Sequence, residues 1–232
     1  MKQTLTTITL LIGASMLAQG EDKPGLPNVL IIGDSISIGY TEPLKEMLKD
    51  KANVSHNPGN AGDSNNGLAK LESWLGTTKW DVIHFNHGLH DLKYVDNNGK
   101  ISNTKQDAHI NVPLDKYREN MAAIVVRLKK TGARLIFATT TPYPAGVRPL
   151  RVPEDAEKYN AAALEIMQKH GISVNDLHAF ILPRLQQLQT PKNVRFTPAG
   201  YKALAQEVGQ HVLKACGQPS SGDLNPKAAL QQ

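Results

Sequence analysis

Short apolar runs alternate with helical patterns along this chain. Val29-Leu30-Ile31-Ile32 is the first run, 52–55 a weaker second, and Val82-Ile83-His84-Phe85 the third. Leu135-Ile136-Phe137-Ala138 and Ile172-Ser173-Val174 follow. Runs of this length bounded by turn residues read as buried strands. Between them, apolar side chains recur at helical spacing: Leu68, Leu71 and Leu75, then Tyr117, Met121, Ile124, Val125 and Leu128, then Tyr201, Leu204, Ala205, Val208 and Val212. Each set puts one stripe of a helix against a core. Thr197 suits the N-cap of the last helix and Pro198 its first position. Strands alternating with helices predict βαβ units. The expected fold is α/β, a three-layer α/β/α sandwich on a five-stranded parallel sheet, flavodoxin-like in architecture. Two polar loops interrupt the pattern, 93–112 and the proline-rich 142–153, and long loops in compact domains tend to carry function.

Composition bounds the rest. At 232 residues with 40% hydrophobic content, the chain has enough apolar surface for one core. Residues 1–20 read as a secretory signal peptide, with Lys2 in the basic region, an apolar stretch over 8–17, and Ala18-Gln19-Gly20 before the cut. The main domain is expected over 21–216, and 217–232 as a disordered tail. Export to a periplasmic or extracellular space follows, with no stable membrane association after cleavage. The single cysteine, Cys216, excludes an internal disulfide. A net charge of +5 without a Lys/Arg run argues against nucleic-acid binding. His84, His87 and His90 recur every third residue, but the segment begins as a strand, so the spacing does not gather metal ligands. No metal or cofactor is expected.

The chemistry concentrates in four blocks. Gly33-Asp34-Ser35 follows the first strand and Asn60-Ala61-Gly62-Asp63-Ser64 the second. Gly88-Leu89-His90-Asp91 follows the third, and Arg195-Phe196-Thr197-Pro198-Ala199-Gly200 opens the last helix. In order and placement they resemble the SGNH/GDSL hydrolase family of lipases and acylhydrolases. The stretches GDSISIGYT (33–41) and GLHDLKY (88–94) are similar to an exported branch of it. The resemblance covers nearly all of the mature chain.

It implies a serine ester hydrolase acting on a small-molecule or saccharide ester, with removal of O-acetyl or another small acyl group from a carbohydrate as the expected reaction. Ser35 would be the nucleophile and Asp34 the brace of its turn. The Ser35 and Gly62 amides would hold the oxyanion, with His90 standing where the family has an asparagine donor. Asp91 is placed to fix the His90 tautomer. Where the family has its Asp-x-x-His pair, this chain has Lys192 and Arg195. Arginine stays protonated near neutral pH and accepts no proton. Two expectations follow. Another histidine serves as base, with His87 and His178 as candidates alongside His90. Alternatively, the protein is catalytically silent and binds an acidic saccharide or other anion through Arg195, assisted by Arg148 and Arg151. Tyr40 and Tyr94 are placed to stack on a sugar ring.

Overall fold

The structure is a computed structural model that describes residues 22–218. The expected leader lies outside the described residues, as does the tail beyond Gln218. Five strands form the main sheet: β1 (Asn28–Ile32), β2 (Asn53–His56), β3 (Val82–Phe85), β6 (Arg134–Ala138) and β7 (Ser173–Asn175). Their order is β2-β1-β3-β6-β7, with every pairing parallel. Leu30 pairs with Ser55 on one side and Ile83 on the other. Val29–Ile32 and Val82–Phe85 are buried, as strands covered on both faces must be. Phe85 and Phe137 meet edge to face at 5.6 Å in the sheet's centre.

Helices cover both faces. α1 (Ser35–Leu48) packs with α7 (Pro198–Ala215), and α2 (Ser64–Leu75), α3 (Leu114–Lys129) and α4 (Pro153–His170) pack in a row. Gly39 lets α1 and α7 approach closely, because a Cβ there would stand 2.1 Å from the Tyr201 ring. The loop over 93–112 is more ordered than its sequence suggests. It carries a two-stranded antiparallel hairpin, β4 (Tyr94–Asp96) with β5 (Ala108–Ile110). Two short helices, α5 (Leu177–Ile181) and α6 (Leu185–Leu188), lead into the segment before α7. Among the described residues no helix is long and apolar enough to cross a membrane.

This topology positions the site. After β1 the chain steps to β2 at one edge and then returns to β3 on the other side of β1. The loops leaving β1 and β3 therefore diverge, opening a crevice beyond the carboxyl ends of those strands, where open α/β sheets bind ligands. Ser35 follows β1 and His90 follows β3.

Candidate active site

The turn at Gly33-Asp34-Ser35 is built by short-range constraints. Gly33 has no room for a side chain: a Cβ would meet Ser37 Oγ at 2.7 Å. Its amide donates to Asn57 Oδ1 at 2.8 Å, and its carbonyl accepts from the Ala61 amide at 2.9 Å, which ties the first block to the second. Asp34 is extended and caps α1, its Oδ1 accepting from the Ile36 amide at 2.8 Å. Ser35 is the first residue of α1, where helix amides have no intrahelical acceptor. Its hydroxyl makes no hydrogen bond to another described residue and faces an open cleft of about 310 Å³.

The third block is held as firmly. Gly88, at φ +155°, lies against Thr140, whose Oγ1 would be 2.1 Å from a Cβ. The Leu92 amide returns to the Gly88 carbonyl at 2.9 Å. His90 lines the same cleft as Ser35, with its Nε2 4.0 Å from Asp34 Oδ2. Burial holds the His90 pKa below the ordinary imidazole value of 6.5. Asp34 opposes that shift, while Arg151 and Lys93 reinforce it. The imidazole is therefore neutral at pH 7.

Asp91 does not serve His90. It turns into the interior, where its Oδ1 accepts from the Ser64 amide at 2.9 Å and the Ser64 hydroxyl at 2.5 Å. Adjacent side chains on this turn point apart, which overturns the expectation that Asp91 sets the His90 tautomer. Burial drives the Asp91 pKa up to about 7, against the pull of the Ser64 hydrogen bonds and with help from Asp63.

Arg195 reaches the Ser35 cleft from the segment before α7, as do its neighbours Asn193 and Val194. The alternative bases do not. His87 is buried beneath α2, its ring against Gly67 and its Nδ1 3.4 Å from the Gly62 carbonyl oxygen. Burial lowers its pKa to about 4. His178 sits on α5 with its amide bonded to Thr139 Oγ1, and it does not line the cleft. His84 lies in the sheet against Tyr40, so the three evenly spaced histidines occupy three separate environments. Tyr40 is core, and Tyr94 belongs to β4; neither borders the cleft as a stacking platform.

The second block departs from its expected role. The Gly62 amide donates to Asn60 Oδ1 at 2.8 Å, and Asn60, not Gly62, lines the cleft. Gly62 is thus not an open oxyanion donor in this structure. With Asn60 Oδ1 holding that amide, its side-chain NH₂ is the group left to donate. Arg151, read from sequence as an assisting loop charge, is instead buried, with Nε donating to the Leu89 carbonyl at 2.6 Å. No local pattern signals this, because its partner lies on a different block.

Fold and site define an SGNH-type architecture, and the sequence agrees. The chain belongs to the GDSL-like lipase/acylhydrolase family, whose model matches residues 31–203. No protein of curated function matches at the sequence level. Among solved structures, the chain is similar to a lipase/acylhydrolase from Enterococcus faecalis (TM-score 0.65, 19% identity, covering 81% of this chain and 95% of that one). It is also similar to the acetyl xylan esterase AlAXEase (0.63, 16%, 80% and 99%). A variant of Axe2, an acetyl xylan esterase from Geobacillus stearothermophilus, is a further structural neighbour (0.63, 18%, 82% and 94%).

Proposed function

We propose that this protein is an exported serine ester hydrolase that removes a small acyl group, such as O-acetyl, from a carbohydrate, with Ser35 as nucleophile and His90 as general base. The observation that carries the reading is that Ser35 and His90 line one cleft and no other histidine lines it. Family membership supports the reaction class. The saccharide substrate is supported by the acetyl xylan esterases among the structural neighbours, and export by the leader pattern over 1–20.

In this reading His90 takes over the task of the missing histidine rather than that of the asparagine whose place it occupies. A neutral imidazole has the lone pair a base requires. Ser35 Oγ bonds to the ester carbonyl carbon as its proton passes to His90. The imidazolium so formed faces the Asp34 carboxylate. The oxyanion is met by the Ser35 amide, the Asn60 side-chain amide and the Arg195 guanidinium. Collapse breaks the carbon–oxygen bond to the leaving alcohol, which takes the proton from His90. Water then gives a proton to the same imidazole as its oxygen bonds to the acyl carbon. The bond from Ser35 Oγ to that carbon breaks, Ser35 Oγ takes the proton back from His90, and the acyl group leaves as a carboxylic acid.

Hydrolysis of an activated acetate ester by the parent, Ser35→Ala and Arg195→His tests the reading. Parent activity that disappears in Ser35→Ala is expected. An inactive parent that gains activity in Arg195→His would mark a lapsed enzyme whose cleft only binds. Silence in all three forms would remove the site assignment.

A further inference from the structure

The cleft is one-sided in charge. Lys93, Arg148, Arg151 and Arg195 line it beside Ser35 and His90, and no Asp or Glu does. Arg148 and Arg195 are exposed and Lys93 is half-buried, where a charge costs little. Arg151 differs: it is 4% exposed. Its Nε donates to the Leu89 carbonyl and its Nη1 to the Pro149 carbonyl at 3.1 Å. Its Nη2 has no partner among the described residues and is not walled off, so it is open to the cleft that Arg151 lines; no described carboxylate lies within ion-pair distance of the guanidinium. Tyr143 and Asp34 act on it through space, and Asp34 Oδ1 already accepts from the Ile36 amide. A largely buried cation whose only direct partners are carbonyl oxygens is stabilised further when an anion meets its open edge. Burial also depresses the Arg151 pKa, and Tyr143 and Asp34 only partly oppose that shift.

We propose that Arg151 is the anchor of an anion subsite in the Ser35 cleft, so that the ester this protein takes is borne by an anionic saccharide, one carrying a carboxylate or a sulfate beside the acylated hydroxyl. This rests on the Ser35 reading for turnover, but not for binding. The guanidinium offers its unpartnered Nη2 edge to one oxygen of the anion, and Arg195 and Arg148 strengthen the field from the rim. Leu89 immediately precedes His90, so the same arginine that holds the anion also fixes the backbone next to the base. Neutral acylated saccharides would lack that anchor.

The test measures binding and turnover separately. Calorimetry on Ser35→Ala uses three deacetylated probes: an oligogalacturonide, a sulfated disaccharide and a neutral xylo-oligosaccharide. The anionic probes are expected to bind about tenfold or more tighter than the neutral one, as a charge-assisted bond predicts. The preference should shrink at high salt and disappear in Arg151→Met. The stronger of the two anionic probes identifies carboxylate or sulfate as the group recognised. Because Arg151→Met removes the brace on Leu89, Arg151→Lys is run beside it and should retain part of the preference. Equal binding of all three probes would overturn the proposal, as would a preference that survives in Arg151→Met but vanishes in Arg195→Gln. Anion-selective binding without hydrolysis would sink the esterase reading alone. Hydrolysis of neutral and anionic acetyl esters with equal kcat/KM would sink the anion subsite alone.

Discussion

Two serines on the first turns of α1 make opposite bargains with their surroundings. Ser37 has the arrangement usually sought in a hydrolase. Its Oγ is 2.7 Å from His56 Nε2, and His56 Nδ1 is 2.7 Å from the Asn57 carbonyl oxygen. The carbonyl requires a proton on Nδ1, so Nε2 keeps its lone pair and faces the hydroxyl. Yet Ser37 is only 4% exposed, packs against Gly33, and adjoins a void of about 20 Å³, room for a water and not for an ester. Its hydroxyl is also 2.8 Å from the Asp34 carbonyl oxygen, a second acceptor for the same proton. Ser35, two residues earlier and so on the other side of the helix, has a hydroxyl with no hydrogen bond to another described residue and faces a cleft of about 310 Å³. A Ser–His hydrogen bond without access braces a turn. A serine with access can gain its bond to a base when substrate arrives, since catalytic contacts are often loose before binding.

The largest effect should fall where that comparison is drawn. Ser35→Ala is expected to lower kcat/KM for an activated acetate by roughly a thousandfold or more, as loss of a nucleophile does. Ser37→Ala should stay within about tenfold of the parent, the range for a residue acting through the backbone it supports. Reversed outcomes would make Ser37 the nucleophile. The histidines give the next contrast. If His90 is the base, kcat/KM is level at neutral pH and falls on acidification, with its limb below 6.5 because the His90 pKa is lowered. His90→Gln should abolish that limb and cost roughly a hundredfold or more. The His56 pKa is lowered as well, chiefly by burial, but His56→Gln should leave the limb in place. A pH–rate profile for the three proteins decides it.

The same contrast explains what was legible in the sequence. All five sheet strands follow from apolar runs, and α2, α3 and α7 from helical spacing, because both signals come from burial of a continuous face. α1 was less visible: Pro43 and Gly39 interrupt it, and its buried residues Ile36, Tyr40, Leu44 and Leu48 form a narrow stripe. α4 buries Ala156, Ala162 and Ala163 with the polar Asp155 and Asn160 beside Tyr159 and Met167, a face that carries little hydrophobic signal. Ser35 and His90 follow β1 and β3 and Arg195 directly precedes α7, so local blocks sufficed to bring them into one cleft. The burial of Arg151, the Asp91–Ser64 contact and the Ser37–His56 bond each join segments far apart in sequence. No pattern within one segment encodes them.

Asp91 carries the comparison to a carboxyl group walled in as Ser37 is. Its folded pKa of about 7 lies above the unfolded value near 3.8. Its contribution to stability is therefore fully present below the unfolded value and is lost as pH rises through 7. Buried His84 and His87, with pKa values lowered to about 3 and about 4, act in the opposite sense, favouring the fold above 6.5 and opposing it in acid. The difference between parent and Asp91→Asn isolates the carboxyl. Asparagine keeps an oxygen for Ser64 and never ionises, so the variant should gain on the parent by a few kcal/mol, at most about 4, between pH 4 and pH 8. Denaturant melts at several pH values measure this, and a constant difference would show that Asp91 is ionised in the fold throughout.

The smallest effect returns to Ser37 itself. If its hydroxyl only braces the turn, Ser37→Ala should cost about 1 kcal/mol, the usual worth of a hydroxyl hydrogen bond. The penalty stays small because His56 borders an open surface groove, from which water can reach the freed Nε2, while the Asp34 carbonyl still accepts from the Ile38 amide at 3.0 Å. Gly33→Ala supplies the control from the other side of the contact. It forces a Cβ toward the same oxygen and should cost about 1–3 kcal/mol by overpacking. Adding Ser37→Ala to Gly33→Ala removes the atom at 2.7 Å but leaves the Ser37 Cβ position at 3.0 Å, so the pair should recover part of that loss. Strict additivity of the two changes in a thermal melt would mean that Gly33 and Ser37 do not meet, and the wall that separates the second serine from the cleft would have to be built elsewhere.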